Sequence, residues 1–374
     1  MAQECVALFY GLNTNMYCKQ GIIGAQFSHT QRGHALCCAS YVRYHKNPKE
    51  VWDRVLVDAR QQLKNNKKIK DCEPCYQMER RQITSFRQIY NEQFKEFNES
   101  KLPQHLDLDL SNFCNLKCVM CDPTRSSMWA KETGQYPKTN GVTSISDNEL
   151  QEICELSHDL KYLTLQGGEP SIIPQYETYF DYLKTNNLMK DITLNVVTNL
   201  TNLKQKFYSY LPHFKFVNIS VSVDAFGTAN DFIRFPSNFD KVTENIKLLT
   251  QYNNLSVKVD TAIQILSMFN VEKLIMWFND LENYFKSKKR HIGPYVQHVH
   301  TPEELCIMNA PLSLKDLFTK QIKGTRFAYL ENTLDYKNTF DHNKTIDYIE
   351  NICKRRKLNI DDYIPQFRSH YDIK

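Results

Sequence analysis

From about residue 106 onward, short apolar runs alternate with stretches whose apolar residues recur at helical spacing. The runs have the length and composition of strands and lie at 106–110, 162–166, 192–198, 216–223, 255–263 and 295–300. The helical stretches between them cover 147–158, 175–185, 203–210, 239–251 and 271–286. Strands that alternate with helices predict a parallel sheet joined by right-handed crossovers. Because a closed barrel of this kind has eight units, six strands predict an α/β fold with a partial, open (β/α)6 TIM-like barrel.

The chain on either side of this alternation follows other patterns. Residues 22–38 resemble two strands around a turn at Gln31-Arg32-Gly33 and predict a hairpin. Asn47-Pro48 then opens a helix with one apolar side. After residue 300 the sequence is helical and irregular. We therefore expect an N-terminal module at 1–100, the barrel at 101–300 and a helical C-terminal extension at 301–374.

Composition and charge narrow the class of protein. The 374 residues are 41% hydrophobic and 24% charged, which is typical of a globular protein. A net charge of +5 without a dense basic stripe gives no support for a nucleic-acid partner. The apolar run at 5–10 is too short for a signal-peptide core, and no run reaches the ~20 apolar residues of a membrane helix. We therefore expect a cytoplasmic protein with no membrane partner.

The expected compartment affects how the twelve cysteines of the chain are interpreted. Cytoplasmic thiols are kept reduced, so clustered cysteines indicate metal or cluster ligation and not a disulfide framework. Cys5, Cys154, Cys306 and Cys353 have no partner spacing and are assigned no role.

Cys114, Cys118 and Cys121 form a CxxxCxxC triplet directly after the first predicted strand of the barrel. Active sites of parallel β/α folds lie at the carboxyl ends of strands. Iron–sulfur clusters are normally held by four thiolates, so three would leave one iron open to a small molecule. A zinc site completed by a distant residue is the alternative, although zinc sites usually show two separated pairs of ligands.

This triplet, in its position after the first strand, resembles the signature of the radical S-adenosylmethionine (SAM) superfamily. The wider stretch, CNLKCVMCDPTRSSMW, is similar to the subgroup that carries a twitch-type auxiliary cluster. The resemblance implies a [4Fe-4S] cluster at Cys114, Cys118 and Cys121 whose open iron binds SAM. It also implies one-electron reduction of SAM to a 5′-deoxyadenosyl radical. Met120 occupies the position that is often aromatic in the family and lies near the adenine.

Later strands carry further motifs that resemble those of the superfamily. Gly167-Gly168-Glu169 after the second strand is similar to the GGE motif, in which Gly168 and Glu169 would hold the methionyl amino group. Ser222 and Asp224 on the fourth strand, followed by Arg234, resemble a pattern that binds the carboxylate or ribose of SAM. Looser family positions are Thr198, with Asn199, after the third strand and Gln264 after the fifth. The sequence does not identify catalytic acid or base residues.

A second group of cysteines precedes the barrel. Cys18, Cys72 and Cys75 stand with the adjacent Cys37 and Cys38 in an order similar to the auxiliary-cluster module of twitch and SPASM proteins. That motif continues with Glu79, Ser85 and Arg87. The resemblance implies a second [4Fe-4S] cluster, although such modules generally follow the barrel; zinc is the alternative. Neighbouring strand residues point to opposite faces, so one of Cys37 and Cys38 would be the ligand, and family spacing favours Cys38.

Relatives of this type mostly modify peptides or proteins. We therefore expect a radical SAM enzyme that oxidises or cross-links a peptide, with an electron donor such as a flavodoxin or a ferredoxin. Radical modification of a nucleotide, nucleoside or sugar is the first alternative, and a non-enzymatic zinc or iron–sulfur scaffold is the second. His298 and His300 share one face of the last predicted strand, so part of that strand could face the substrate cavity, but a structural role is more common for a histidine in this position.

Overall fold

The computed structural model describes residues 16–29, 31–337 and 339–371. Seven strands form one sheet in chain order. Their bounds are Gly24–Ser28 (β1), His105–Asp109 (β2), Tyr162–Gln166 (β3), Thr193–Thr198 (β4), Phe216–Ser222 (β5), Leu255–Ile263 (β6) and Ile292–His298 (β7). The strands are parallel, with Ser28 opposite Asp109 on β1 and β2, and Ser222 opposite Asp260 on β5 and β6. Parallel strands with helices between them confirm the predicted α/β class.

Helices connect the strands, as parallel pairing requires. They are Lys19–Ile23 (α1), Pro48–Glu50 (α2), Val57–Lys64 (α3), Glu73–Arg80 (α4), Phe86–Gln93 (α5), Ser127–Glu132 (α6), Asp147–Leu156 (α7), Pro174–Thr185 (α8), Thr228–Ile233 (α9), Phe239–Leu248 (α10), Val271–Ser287 (α11), Leu312–Ile322 (α12), Asn343–Arg356 (α13) and Phe367–His370 (α14). A π-helical turn, Val51–Val55, lies between α2 and α3.

Shorter 3-10 segments make up the remaining helical structure. They are Lys70–Cys72, Pro137–Thr139, Pro170–Ile172, Met189–Asp191, Lys206–His213, Leu249–Gln251, Ile265–Asn270, Glu303–Leu305, Ile307–Asn309, Ala328–Thr333 and Ile360–Asp362. None of the helices in the described ranges is long and apolar enough to cross a membrane.

Two elements differ from the sequence prediction. The hairpin predicted at 22–38 forms only in part: Gln26 and Ala35 make an antiparallel bridge across the turn, but β1 also pairs in parallel with β2, and a second isolated bridge joins His34 to Tyr44. The last strand begins at Ile292 and not at residue 295, because its register with β6 extends back to Val257.

The chain divides into two compact units. The first contains residues up to 110 together with 144–164 and 181–192. Its strands β1 and β2 are buried along their whole length, although several of their residues are polar. Those polar groups find partners within the unit: Ser28 Oγ donates to Asp109 Oδ2 at 3.0 Å, and Arg43 donates to Gln26 Oε1 at 2.6 Å. Pairing of this kind is what allows polar side chains to lie inside a protein.

The second unit contains residues 111–143, 165–180 and 193–374. Burial alternates along β5 and β6, so each strand has an apolar face in the core and a second, more accessible face. Helix α11 has the predicted one-sided pattern and buries Val271, Leu274, Ile275, Trp277, Phe278, Leu281 and Phe285. The predicted division at residues 100 and 300 stays a prediction.

Candidate functional site

The loop that carries Cys114, Cys118 and Cys121 is fixed by bonds to its backbone. The Trp129 indole N–H donates to the carbonyl of Cys118 at 2.6 Å, and the N–H of Val119 donates to the carbonyl of Ile233 at 2.7 Å. The hydroxyl of Ser127 accepts from the N–H of Cys114 at 3.1 Å. Because the backbone is held on both sides of the triplet, the positions of the three thiols are set before any ligand binds.

The three thiols face one another in a buried environment. Cys118 and Cys121 are hydrogen-bonded through their sulfur atoms, which lowers the pKa of Cys121 and raises that of Cys118. Burial raises the pKa of Cys114, whose Sγ accepts a hydrogen bond from the N–H of Leu116 at 3.4 Å. Backbone N–H groups that point at cysteine sulfur are a means by which proteins tune iron–sulfur clusters. The donor set therefore fits a cluster with three thiolate ligands.

The two glycines of the GGE motif lie directly against this loop. The N–H of Gly168 donates to the carbonyl of Ser111 at 2.9 Å, and the N–H of Glu169 donates to the carbonyl of Phe113 at 2.8 Å. A Cβ at residue 168 would lie 2.1 Å from the carbonyl oxygen of Phe113. Gly167 has a φ of +116°, which favours glycine. Only glycine lets the two loops approach this closely.

Glu169 is a buried carboxylate with several donors but no cation. Its Oε1 accepts from the hydroxyls of Thr198 at 2.6 Å and Ser171 at 2.7 Å, and its Oε2 accepts from the N–H of Asn199 at 2.7 Å. Burial raises the pKa of Glu169, and these hydrogen bonds act in the opposite direction. In the described part of the chain Glu169 forms no ion pair. The site is therefore suited to an ammonium group, such as the amino group of SAM.

Arg234 and Asp224 form a buried ion pair behind the thiols. The Arg234 guanidinium donates to Asp224 Oδ1 at 3.0 Å, and its Nε lies 2.8 Å from Oδ2. Asp224 also accepts from the N–H of Ala262 at 2.9 Å. Burial acts to lower the pKa of Arg234, but Asp224, Cys118 and Cys121 more than compensate and raise it. The Arg234 guanidinium also interacts electrostatically with Cys118 and Cys121, although Asp224 balances its charge.

Gln264 and Met120 meet on the other side of the loop. Gln264 is buried at the end of β6, and its Nε2 lies 4.0 Å from Sδ of Met120. Ser222 ends β5 with its side chain on the more accessible face of the sheet. The predicted SAM-binding residues of the second unit thus lie in two places. The glycines and Glu169 lie against the cysteine loop, and the other side chains lie at or near the carboxyl ends of β4, β5 and β6.

The N-terminal cysteines form a separate group within the first unit. The thiols of Cys18 and Cys72 are hydrogen-bonded, which lowers the pKa of Cys18 and raises that of Cys72. The charge of Cys75 acts on Cys72. Burial raises the pKa of Cys37, and the charges of Cys38, Cys18 and Cys75 contribute to it in that order. Each of Cys18, Cys37, Cys72 and Cys75 interacts electrostatically with at least one of the others, and we call them the four-thiol group; Cys38 interacts with Cys37. N–H groups of Gly21 and Gln20 donate to the sulfur of Cys18.

Cys38 lies in a different environment from Cys37. Its Sγ is 3.5 Å from the Tyr90 hydroxyl. Burial raises the pKa of Cys38 to about 12, and the charge of Asp107 contributes next. Cys37 interacts with Cys18 and Cys75 as well as with Cys38, and which of the two adjacent cysteines is a ligand stays a prediction.

Glu79, Ser85 and Arg87 connect the two helices that follow Cys72 and Cys75. The Arg87 side chain is almost wholly buried and pairs with both carboxylate oxygens of Glu79, which also accepts from Ser85. Arg87 donates to the carbonyl of Tyr17 at 2.9 Å, next to Cys18, and its N–H donates to the sulfur of Cys75. This part of the motif has a structural role: it fixes the backbone around two of the thiols.

In the described ranges, no set of three or more His, Cys, Asp or Glu side chains converges on the position of a single metal ion. A [4Fe-4S] cluster is larger than an ion and takes one thiolate per iron, so its ligands surround the cluster and do not meet at a point.

A comparison with protein families matches residues 108–269 to the radical SAM superfamily. The match covers 162 of the 374 residues, which is less than half of the chain. The matched segment begins within β2 and ends after β6, so it includes the cysteine triplet, Glu169, Arg234 and Gln264. Members of the radical SAM superfamily use SAM and a [4Fe-4S] cluster. The N-terminal cysteines and the segment after residue 269 lie outside the match.

Curated relatives are similar to this chain over the same region. The mycofactocin maturase MftC of Mycobacterium tuberculosis is 24% identical over 162 residues, which are 43% of this chain and 38% of the relative. The sporulation killing factor maturation protein SkfB of Bacillus subtilis is 25% identical over 160 residues, or 41% and 35% of the two chains. The subtilosin biosynthesis protein AlbA of Bacillus subtilis is 24% identical over 189 residues, or 49% and 38%. The chain thus spans less than half the length of these relatives.

Two solved structures are also similar. Streptococcus suis SuiB bound to its precursor peptide SuiA has a TM-score of 0.34 and 12% identity, covering 78% of this chain and 59% of SuiB. The structure of anSMEcpe with bound AdoMet (that is, SAM) and the Cp18Cys peptide has a TM-score of 0.38 and 16% identity, covering 61% of each chain.

Sequence reasoning missed several residues that hold the site. Asn112 bonds through its side chain to the carbonyls of Pro123 and Gly141 and to the N–H of Thr143, which closes the loop after the triplet. The Tyr348 hydroxyl donates to the carbonyl of Val119 at 2.7 Å from helix α13. Asn112 is next to the strand and could have been noticed as a candidate turn residue. Tyr348 is 229 residues from its partner, and no local pattern indicates the contact.

Proposed function

We propose that the protein is a radical SAM enzyme that cleaves SAM reductively and removes a hydrogen atom from a peptide. The observation that carries this proposal is the buried carboxylate of Glu169, without a cation, on a loop that bonds directly to the three-cysteine loop. Three thiols would hold the iron–sulfur cluster, and the adjacent carboxylate would bind the amino group of the SAM molecule that the cluster chelates.

Each side chain of the site has a role in this proposal. Cys114, Cys118 and Cys121 would hold the cluster, and Glu169, positioned by Thr198 and Asn199, would bind the amino group of SAM. Other groups that would contact or orient SAM are Gly167, Gly168, Ser222, Asp224, Arg234, Gln264 and Met120. Bound there, the reduced cluster and SAM would supply a 5′-deoxyadenosyl radical. The apolar surroundings of Met120 and Gln264 would exclude water from that radical.

The four-thiol group of the first unit would hold a second cluster through Cys18, Cys37, Cys72 and Cys75. Four protein thiolates would leave no iron open, so this cluster is suited to electron transfer and not to substrate binding. An external electron donor, such as a flavodoxin or a ferredoxin, is part of the proposal because reductive cleavage consumes an electron.

The peptide substrate is inferred from the relatives. Mycofactocin maturase and sporulation killing factor maturation protein are both named for maturation, and SuiB is described with a bound precursor peptide. None of the relatives described above is named for a nucleotide or sugar substrate.

The proposal is tested by anaerobic reconstitution of the full chain with iron and sulfide. We expect about eight iron atoms per chain, as two cubanes, and release of 5′-deoxyadenosine from SAM after reduction with dithionite. Cys118→Ala should lose about four iron atoms and all cleavage. Cys353→Ala removes a thiol on α13 that belongs to neither cysteine group and should keep both properties.

Two results would contradict the proposal. Protein that takes up zinc in place of iron and leaves SAM intact would support a scaffold and exclude the enzyme. Cleavage that persists in Cys118→Ala at the wild-type rate would show that the triplet does not bind the reactive cluster.

A further inference from the structure

The sheet of the second unit has one face that the core does not cover. On β6 the buried residues alternate with Ser256, Lys258, Asp260 and Ala262, which are at least partly exposed. Strand β5 has the same alternation, and its Asn218 accepts a hydrogen bond from Ser256 at 2.7 Å. Because side chains on one face of neighbouring strands lie together, this accessible face is a continuous polar surface. It ends at Ser222, a candidate SAM-binding residue.

Asp260 occupies the end of this surface that is nearest to the candidate SAM site. It lies opposite Ser222 on β5 and opposite Tyr295 on β7, each on a strand about 4.8 Å away. Gln297 Nε2 donates to Asp260 Oδ1 at 3.1 Å and so fixes the direction of the carboxylate. Tyr295 is 51% exposed, so the surface beside Asp260 is open to a ligand.

The predicted histidines lie on the other face of β7. Residues 294, 296 and 298 share a face of the strand, and Pro294 and Val296 line an apolar cavity with Leu274 and Phe278 of α11. His298 therefore lies on the helix-covered side. This position agrees with a structural role for His298; Tyr295 and Gln297 occupy the accessible face.

The hydrogen-bonding capacity of Asp260 is incompletely used within the protein. In the described part of the chain its Oδ2 accepts no hydrogen bond, and Asp260 forms no ion pair. Four titratable groups face it: Asp224, Arg234, Lys258 and Tyr295. Burial and the charge of Asp224 raise the pKa of Asp260 to about 6, and Arg234 and Lys258 offset this only in part. A half-buried carboxylate with a free oxygen is stabilised when a donor binds to it.

We propose that Asp260 is a substrate-binding residue: oriented by Gln297, it accepts a hydrogen bond from an N–H, O–H or ammonium group of the peptide beside the SAM site. This inference rests on the proposed function. A donor held at Asp260 would lie next to Ser222, which fixes one point of the peptide close to the carbon radical. Positioning of that kind decides which C–H bond is attacked.

The test compares Asp260→Asn with wild type and with Asp280→Asn, which makes the same chemical change at an exposed position on α11. All three are full chains with reconstituted clusters, and iron content and circular dichroism verify their folding. The probe is a random-sequence peptide library made from perdeuterated amino acids. The two readouts are 5′-deoxyadenosine formed without peptide and deuterium transferred from peptide to 5′-deoxyadenosine.

We expect Asp260→Asn to cleave SAM without peptide at a rate within about twofold of wild type. Deuterium transfer should fall by about tenfold to a hundredfold, the range for a lost hydrogen bond to a charged group. The ionised carboxylate is the stronger acceptor, so in wild type deuterium transfer should rise as the pH increases through about 6. In Asp260→Asn this rise should be absent, whereas Asp280→Asn should behave as wild type.

The possible failures are distinguishable. Wild-type deuterium transfer and an unchanged pH profile in Asp260→Asn would overturn the assignment of Asp260 and leave the enzyme proposal intact. Wild-type protein that cleaves SAM but takes no deuterium from the library would overturn the peptide substrate and this inference with it. Absence of cleavage in wild type would overturn the proposed function itself.

Discussion

Cys37 and Cys38 are adjacent in the chain but have different neighbours. The Cys37 thiol is buried with Cys18 and Cys75, whereas Cys38 contacts the Tyr90 hydroxyl. We therefore expect Cys37→Ser to remove the auxiliary cluster and lower iron from about eight to about four atoms per chain. Cys38→Ser is the matched control and should keep both clusters. The measurement is iron content after anaerobic reconstitution.

The opposite result would identify Cys38 as the ligand. If Cys38→Ser loses the four iron atoms and Cys37→Ser keeps them, the segment must turn over when the cluster binds. In both variants SAM cleavage without peptide should persist, because Cys114, Cys118 and Cys121 are unchanged.

Gly168 shows what a sequence motif can and cannot tell. The GGE pattern was sufficient to predict a ligand-binding loop after β3. The physical need for glycine became visible only in the structure, where a Cβ would lie 2.1 Å from the Phe113 carbonyl oxygen and 2.5 Å from its carbon. A contact between residues 113 and 168 depends on how two loops fold against each other, and no local pattern in either loop encodes it.

Helices α4 and α5 are joined by an ion pair whose charges are shielded from water. The side chain of Arg87 is 1% exposed and that of Glu79 is 14% exposed. Removal of one partner leaves the other charge buried, so Glu79→Gln should lower the free energy of unfolding of the first unit by about 3 kcal/mol. It should also loosen the backbone beside Cys18 and Cys75 and reduce auxiliary-cluster iron. Urea unfolding and iron analysis measure the two effects.

The control lies on the same helix. Glu73 pairs with Arg80 and Lys68 at the surface, where water and salt screen the charges. Glu73→Gln should therefore unfold at nearly the wild-type urea concentration and retain both clusters. An equal loss of stability in the two variants would contradict the assigned role of the buried pair.

The elements that follow a local rule were predicted well. Ranges 162–166 and 255–263 match β3 and β6 at both ends, and α7 begins at the predicted Asp147, where Ser146 and Glu149 form a capping box. Two features explain why the parallel pairing of β1 with β2 was not predicted. Its Gln26 and Ser28 are buried but polar, so the strand lacks a plain apolar run, and its partner β2 lies about 80 residues later. Long-range pairing of a polar strand has no local signal.

The C-terminal extension has a larger part in the second unit than its sequence suggested. Leu314, Phe318, Ile349 and Ile352 belong to the same buried cluster as Val119 of the cysteine loop. Arg356 lies over the Trp129 ring and pairs with Glu132. An amphipathic helix predicts only that it packs against something, and the surface that it covers depends on the fold of the whole unit.

Tyr348 provides the test of that packing, because its hydroxyl reaches the Val119 carbonyl between two of the cluster cysteines. Burial raises the pKa of Tyr348 to about 12, so the hydroxyl stays protonated and able to donate at all ordinary pH values. Tyr348→Phe removes this one bond, worth about 1 kcal/mol. If the bond stabilises the loop, a chelator should remove the SAM-binding cluster about fivefold faster, measured as the decay of cluster absorbance.

Tyr329→Phe is the control, since Tyr329 is 53% exposed and has no hydrogen-bond partner in the described ranges. Equal decay rates in the two variants would mean that the extension packs beside the cysteine loop without stabilising it.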